Sequence, residues 1–137
     1  MRGFTVIELL IAMMIAGVLL AISIPHAQHQ LDKTVVQSAR EDVRATLTFA
    51  RTLALAGYSR VTIRIDSANG TLRVRQNGEQ VLSRGVSHAH GVELTATRDS
   101  LVYDAHGIGR GAANLSVVVR RRAAAETVFV SRMGRIR

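Results

Sequence analysis

The sequence predicts an α+β fold, in which one long N-terminal helix packs on a C-terminal antiparallel β-sheet head. Two observations predict it. Residues 4–24 form a continuous apolar run that leads into an amphipathic pattern with the 3.6-residue period of a helix. From residue 58 onward the apolar residues alternate with polar ones, as they do in strands that bury one face. The helix stripe and the strands can cover each other, which is how an α+β domain builds its core.

The composition narrows the classes of protein and of chemistry. The chain has 137 residues, of which 47% are hydrophobic and 20% are charged, and this balance belongs to a folded domain rather than to a disordered chain. It contains no cysteine, which excludes a disulfide framework, thiolate metal sites and a cysteine nucleophile. The formal net charge of +8 means that a polyanionic partner has to be considered.

The apolar run at 4–24 is long enough to cross a membrane, since as a helix it measures about 31 Å. Glu8 is its single charged residue. Arg2 and the amino terminus are the positive charges that precede the apolar run. The positive-inside rule therefore predicts a cytoplasmic N-terminus and a head on the other side of the membrane. A cleaved signal peptide on a secreted protein is the alternative, although the run exceeds the usual apolar region of about 7–15 residues.

The helix is predicted to extend beyond the apolar run, from about Phe4 to Ala56. Pro25, the only proline, should kink or loosen it where the run ends. Gly57 suits the left-handed position that often follows the last helical turn. The predicted core-facing stripe has apolar residues three or four apart: Leu31, Val35, Ala39, Val43, Leu47, Ala50 and Ala54.

The head is predicted to consist of short strands joined by tight turns. Asn69-Gly70 and Asn77-Gly78 are turn signals, because Asn-Gly is the dipeptide that type I′ hairpin turns prefer. The predicted strand segments are Val61–Ile65, Leu72–Val74, Val81–Leu82, Gly91–Ala96, Leu101–Tyr103, Asn114–Arg120 and Thr127–Ser131.

Glu8 is the residue of the apolar run that most needs an explanation. A carboxylate inside an apolar helix is costly and by default indicates a functional partner. No other residue of the run is charged. The sequence therefore predicts a partner outside the run: a chain terminus, a lipid headgroup or another subunit.

The first ten residues resemble the prepilin processing motif of type IV pilins and type II secretion pseudopilins. They have a short basic leader, Gly3 before the cleavage point, Phe4 after it, and Glu8 as the fifth residue of the processed chain. The resemblance implies removal of the leader by a prepilin peptidase and N-methylation of Phe4. It also implies that Glu8 pairs with the new amine of an adjacent subunit during filament assembly, and a free α-amine is mostly protonated at pH 7.

The last ten residues resemble the closing segment of the GspH/FimT branch of minor pseudopilins, in which a terminal strand runs into a tail that contains Gly-Arg. Tyr103–Gly107 also resembles the aromatic, short loop and Gly element before that family's penultimate strand. Within the branch, Gly134-Arg135-Ile136-Arg137 is similar to the Gly-Arg-x-Arg pattern of FimT-type pilins that bind DNA during natural transformation. This resemblance implies a DNA-binding role for Arg135 and Arg137.

The chemistry of the tail agrees with contacts to phosphates. Gly134 lets the backbone turn out from the sheet, and in an extended tail Arg135 and Arg137 project to one side while Ile136 faces the other. Residues 110–137 hold seven Arg and one acidic residue. The next candidates for DNA contact, if the last strand and its hairpin lie beside the tail, are Arg132, Arg120, Arg121 and Arg122. A solvated hairpin tip is the other interpretation of the three consecutive arginines.

The remaining reactive residues do not predict an enzyme or a metal site. Gly107–Gly111 looks like a dinucleotide loop, but its third glycine comes one residue early and no βαβ unit follows. His88 and His90 have no third ligand near them in sequence, so a solvated loop is their expected setting. Asp104 and His106 have no triad context. We therefore expect no catalytic residue, no metal ligand, no cofactor and no small-molecule substrate.

Together the resemblances predict a minor pilin or pseudopilin with four segments: a leader at 1–3, a transmembrane and filament-core helix at 4–25, an amphipathic helix at 26–57, and a β-rich head with an Arg-rich tail at 58–137. The predicted location is the bacterial inner membrane, crossed once with the head in the periplasm, and then a pilus or pseudopilus. The predicted partners are other pilins through the N-terminal helix, the prepilin peptidase, and double-stranded DNA taken up in natural transformation. The alternative is a GspH-like minor pseudopilin of the type II secretion system, in which the arginines are surface charge.

Overall fold

The computed structural model describes residues 5–110 and 114–137, which fold as a long helix that carries a head of two antiparallel β-sheets. In chain order the elements are α1 (Val6–Ala56), β1 (Val61–Asp66), β2 (Thr71–Gln76), β3 (Glu79–Gly85), α2 (Val86–His90), β4 (Glu93–Ala96), β5 (Ser100–Tyr103), β6 (Gly109–Arg110), β7 (Leu115–Arg121) and β8 (Ala124–Val130). The α+β fold that the sequence predicts is confirmed, with the long helix ahead of every strand.

Helix α1 is one continuous element over both the apolar and the amphipathic part of the sequence. The helix continues through Pro25, the residue at which the sequence predicts a kink or loosening. Proline removes one backbone donor from the helical ladder, and the turns on either side of it keep theirs. The apolar segment and the segment that carries the head are therefore joined directly.

The C-terminus of α1 differs from the prediction in its backbone geometry. The Gly57 N–H donates to the Leu53 carbonyl at 3.0 Å and so closes the last turn. The prediction of a left-handed Gly57 is wrong, because its φ is −88° and the positive φ of 44° belongs to Tyr58. Glycine fits at position 57 because a Cβ there would lie 2.5 Å from Nε2 of Gln76.

The face of α1 that packs on the head begins later than the sequence predicts. Leu31 is exposed and Val35 is only partly buried. Asp32 and Val36 occupy the buried positions of that turn instead, because arginines of the head neutralise the Asp32 carboxylate. The rest of the predicted stripe is buried: Ala39, Val43, Leu47, Ala50 and Ala54.

Two antiparallel sheets pack on the amphipathic part of α1. The five-stranded sheet has the order β3-β2-β1-β5-β6, and the three-stranded sheet has the order β4-β7-β8. In most strands alternate residues face inward, as in β1, where Val61, Ile63 and Ile65 are buried, whereas β3 buries none of its residues fully. These residues and the helix stripe form one hydrophobic core. Asn77-Gly78 joins β2 to β3 as predicted, with both φ angles positive as a type I′ turn requires.

Three elements of the head differ from the prediction. Val86–His90 forms the short helix α2, where the sequence predicts a solvated loop. The two-residue strand β6 was not predicted, and β8 begins at Ala124 rather than at Thr127. Strand β6 pairs with β5 six to eight residues earlier, and the start of β8 pairs with the end of β7 across a two-residue turn. Gly111, the end of the Gly107–Gly111 segment, lies outside the described residues.

Candidate functional sites

The N-terminal part of α1 is an apolar surface that the head does not cover. Its large aliphatic side chains are exposed from Val6 to Ile24, and the helix is long and apolar enough to cross a membrane. A contiguous apolar surface of this length needs a partner. A lipid bilayer satisfies that need, and so do the corresponding helices of other subunits.

Glu8 has a partner that the sequence analysis missed. Its Oε2 accepts hydrogen bonds from the backbone N–H and from Oγ1 of Thr5, each at 3.0 Å. In return Thr5 Oγ1 accepts from the Glu8 N–H at 3.3 Å, which completes a capping box at the start of α1. The prediction that the partner of Glu8 lies outside the apolar run is therefore wrong for the isolated subunit. The Thr-x-x-Glu spacing is the sequence signal for the capping box. Gly3 and Phe4 lie outside the described residues.

The tip of the β7–β8 hairpin is clamped to α1 by a buried carboxylate. Asp32 is only 6% exposed, and its oxygens lie 3.0 Å from Nε of Arg121 and 3.1 Å from Nη1 of Arg122. Arg121 also donates from Nη1 to the backbone carbonyl of His90 at 3.1 Å. Arg120 is exposed, and within the described residues it forms no ion pair. Two of the three consecutive arginines thus hold the hairpin to the helix.

A second cluster ties α1 to β3 and α2. Arg84 donates to both oxygens of the Asp42 carboxylate, and Nε2 of His90 lies 2.8 Å from the same group. Burial raises the pKa of Asp42, but the hydrogen bonds from Arg84 and His90 outweigh burial and hold the pKa below its usual range. The cluster fastens the head to the helix. No periodicity in the sequence marks it, because its members come from three elements.

The C-terminal segment folds back on β8 and is held there by backbone hydrogen bonds. Phe129 and Arg137 exchange two bonds of 2.9 Å, and the Ser131 N–H donates to the Arg135 carbonyl at 2.9 Å. The chain reverses through Gly134, whose φ is 73°. The tail is therefore an ordered extra ladder on β8. Gly134 turns the chain back along the sheet, where the sequence analysis has it turning outward.

Alternation along this ladder sorts the side chains of the tail. Ile136 bridges Val130 and packs on the core, whereas Arg135 and Arg137 are exposed. Directly opposite residues of an antiparallel pair share a face, so Arg137 stands beside Phe129, which is 55% exposed. The two arginines therefore project from the same side of the tail.

Arg135 lies between two open grooves. The larger, of about 800 Å³, has Ser116, Phe129, Met133 and Arg137 among its other lining residues. The smaller, of about 260 Å³, has Arg44, Thr48, Arg51 and Ile136 among them. No Asp or Glu side chain lines either groove within the part of the chain that the structure describes. Positive charge is therefore concentrated around the tail.

Arg132 is exposed in the turn that leads into the tail, whereas the hairpin arginines are not near the tail. The Arg132 carbonyl accepts from the Gly109 N–H at 3.2 Å, which sets β6 beside the turn. Arg120–Arg122 lie at the opposite end of β7 and β8, about 20 Å away along the strands. The hairpin tip therefore does not lie beside the tail, and these three arginines do not join Arg135 and Arg137 in one site.

The loop around Gly107 is organised by a carboxylate. Oδ1 of Asp104 accepts from the backbone N–H of His106 at 2.9 Å and of Ile108 at 3.0 Å. The hydrogen bond from Ile108, with a smaller contribution from His106, holds the pKa of Asp104 below its usual range. Within residues 5–110 and 114–137, no group of three or more His, Asp or Glu is placed to hold a metal ion.

Comparisons with known proteins agree with this architecture. The family described as type II transport protein GspH matches residues 39–134, and the prokaryotic N-terminal methylation motif matches residues 1–24. Two crystal structures of the type IV minor pilin FimU from Pseudomonas aeruginosa strain PAO1 have a similar fold, with TM-scores of 0.64 and 0.62 at 18% and 17% identity. Each match covers 74% of this chain, and the two cover 86% and 90% of the FimU chains. No curated protein matches the chain by sequence.

The two family matches fall on the two parts of the molecule that the structure distinguishes. The methylation motif covers the exposed apolar part of α1, and the GspH match covers the rest of the helix from residue 39 and the head up to residue 134. The GspH match spans well over half of the chain. The chain therefore belongs to the GspH family, and it is a minor pilin or pseudopilin of a type IV pilus or a type II secretion system.

Proposed function

We propose that this minor pilin binds double-stranded DNA without sequence preference through its C-terminal tail, for uptake in natural transformation. The segment 4–25 holds it in the bacterial inner membrane with the head in the periplasm, until it joins a pilus through the N-terminal helix. The observation that carries the proposal is the ordered display of Arg135 and Arg137 on one side of a hydrogen-bonded tail, with Arg132 exposed at the same turn.

Arginine in this arrangement suits phosphate rather than base recognition. Its planar guanidinium donates to phosphate oxygens as a fork, and such contacts carry no sequence information. Arg135 and Arg137 are two residues apart on an extended segment, about 7 Å, which is close to the separation of neighbouring phosphates on one strand. Within the described residues neither side chain forms an ion pair, so neither has to give up a carboxylate in order to bind. Across the smaller groove, Arg44 and Arg51 add positive charge.

The full-length chain, in nanodiscs of zwitterionic lipid, is expected to bind a short DNA duplex with a Kd of about 10⁻⁴–10⁻⁶ M, the range of non-specific contacts. Arg135→Gln with Arg137→Gln should weaken binding and flatten the log–log dependence on salt by about 1.8, because each phosphate contact contributes about 0.9. Fluorescence anisotropy of a labelled duplex over a salt series measures both quantities.

The matched control is Arg73→Gln with Arg75→Gln, which removes the same charge from exposed positions of β2. Arg44 is unsuitable as a control, because it lines a groove with Arg135. If both double variants lose affinity equally, binding is bulk electrostatics and the tail is not a site.

The second candidate function is that of a GspH-like minor pseudopilin in type II protein secretion. The description of the matched family favours it. In that case the arginines are surface charge, and the wild-type chain will show no DNA binding even at low salt. This outcome would make secretion the better assignment.

The processed protein is expected to begin at a methylated Phe4, because the methylation motif matches residues 1–24 and cleavage follows Gly3 in the prepilin pattern. The intact mass of protein extracted from membranes measures this directly. A chain that begins between Ser23 and His29 would instead indicate a removed signal peptide and a secreted protein.

A further inference from the structure

We propose that the tip of the β7–β8 hairpin rests on anionic phospholipid headgroups of the membrane in which the unassembled subunit is anchored. The side chains that form this contact are Lys33 on α1 and Arg120, Arg121 and Arg122 on the hairpin; we call them the hairpin-tip patch. The inference uses the span at 4–25 and does not depend on DNA binding.

Helix α1 fixes the height of the patch above the bilayer. The apolar run ends at Ile24, and the helix continues from there without a break. At about 1.5 Å per residue, His29 lies about 8 Å and Asp32 about 12 Å beyond that point. The headgroup layer on each side of a bilayer is about 5–8 Å thick. Since a tilted helix only brings these residues closer to the membrane, side chains at this level reach the headgroups.

The hairpin tip lies at this height because it is packed against that part of the helix. Ala123 and Ala124 line a groove of about 360 Å³ together with His29 and Lys33. Arg122 contacts Asp32, which lies between these two residues on the helix. The tip is therefore the part of the head nearest to the end of the apolar run.

The buried carboxylate neutralises only part of the charge of the hairpin. Asp32 faces both Arg121 and Arg122, so one negative group serves two guanidiniums. The Arg122 side chain is 68% exposed in spite of this contact. The same ion pairs fix the direction of the tip, so that its excess positive charge is held at the membrane-facing end.

Among the described residues the other two members of the patch are not ion-paired, although Glu126 lines the same groove as Lys33. Lys33 and Arg120 are exposed, and neither forms an ion pair. Glu93 lies opposite Arg120 in the β4–β7 ladder without reaching ion-pair distance, and Glu126 is within 3.8 Å of Arg40 instead. Basic residues beside a membrane are attracted to anionic lipid within about a Debye length of its surface, roughly 8 Å at physiological salt. The patch lies within that range.

The chain has no cysteine, so a single nitroxide can be attached at Ala123→Cys in the otherwise unaltered full-length protein. The protein is placed in nanodiscs with or without phosphatidylglycerol, and relaxation of the label by Ni²⁺ chelated to lipid headgroups is measured. We expect strong relaxation at Ala123 in the anionic discs. A label at Glu79→Cys is expected to be little affected, because that end of β3 lies beside Gln76, which donates to Ser59 beyond the far end of α1.

Lys33→Gln with Arg120→Gln removes two charges without touching the Asp32 ion pairs, so the hairpin stays folded. Each basic residue near an anionic surface shifts the equilibrium about fivefold, and we therefore expect this variant to lose most of the relaxation at Ala123. The proposal is overturned if relaxation is equal in anionic and zwitterionic discs, or if the double variant leaves it unchanged. A chain that fails to stay in nanodiscs at all would refute the membrane span as well, which is a separate result.

Discussion

Replacing Glu8 by Val or by Gln is expected to lower the incorporation of the subunit into sheared filaments about tenfold or more, while membrane insertion is retained. Insertion is retained because the change removes a costly charge from lipid. Incorporation falls because the amine of a neighbouring subunit would be buried without its counter-charge, which costs several kcal/mol. Immunoblots of the sheared-filament and membrane fractions measure the two quantities.

The two variants separate the two interactions that Glu8 can make. Gln can still accept from Thr5 and complete the capping box, but it carries no charge. Val can do neither. Equal losses in both variants would support charge pairing between subunits, whereas a loss confined to Val would assign the role of Glu8 to the cap of its own helix. Wild-type incorporation of both would refute a role in assembly.

Gly134→Ala is expected to lower the stability of the head by about 2–3 kcal/mol and its Tm by roughly 5–10 °C. The residue has a φ of 73°, which disfavours any side chain. An added Cβ would also collide with the carbonyl oxygen of Gly107 and lie 3.1 Å from Nε of Arg51, which donates to that oxygen. Circular dichroism of the full-length protein in detergent measures the Tm.

Gly78→Ala is the matched control for the backbone cost alone. Its φ is 88°, but a Cβ there meets nothing within 4 Å. The stability lost at position 134 beyond that lost at position 78 therefore measures the close contact with Gly107. Gly134→Ala should also weaken DNA binding with no change in charge, because it displaces Arg135 and Arg137. Equal Tm values for the two variants would mean that the tail is not packed as described.

Local patterns were sufficient to predict the helix, most of the strands and the turn at Asn77-Gly78. Each of these depends on residues that are close together in the sequence, and such residues produce the periodic patterns from which they were predicted. The start of the buried stripe on α1 differs from the prediction because it depends on residues far away in the sequence. At Asp32 a polar side chain is buried in preference to Leu31, and its arginine partners come from the far end of the chain.

The candidate sites were predictable only as sequence motifs. The Gly-Arg-x-Arg pattern gave Arg135 and Arg137 as candidates, and their alternation about Ile136 is a local property of an extended segment. That the tail returns to pair with Phe129 and Ser131 depends on the turn through Gly134 and on space beside Gly107. No pattern within the tail contains that information. The capping box of Thr5 and Glu8 is different, because its Thr-x-x-Glu spacing is a local pattern that the sequence itself contains.

The ion pair between Asp32 and Arg122 has a consequence for the order of folding, because the two residues are 90 positions apart. The entropy cost of closing a loop grows with the logarithm of its length, and contacts of long sequence separation slow folding. The hairpin can reach Asp32 only after nearly the whole head has been synthesised. Until then the part of the stripe that β7 and β8 cover stays exposed, whereas β1, β2 and α2, which also contact α1, come earlier in the chain. The amphipathic half of α1 therefore forms before all of its packing partners are available, and folding of the subunit is complete only when the β7–β8 hairpin packs against it.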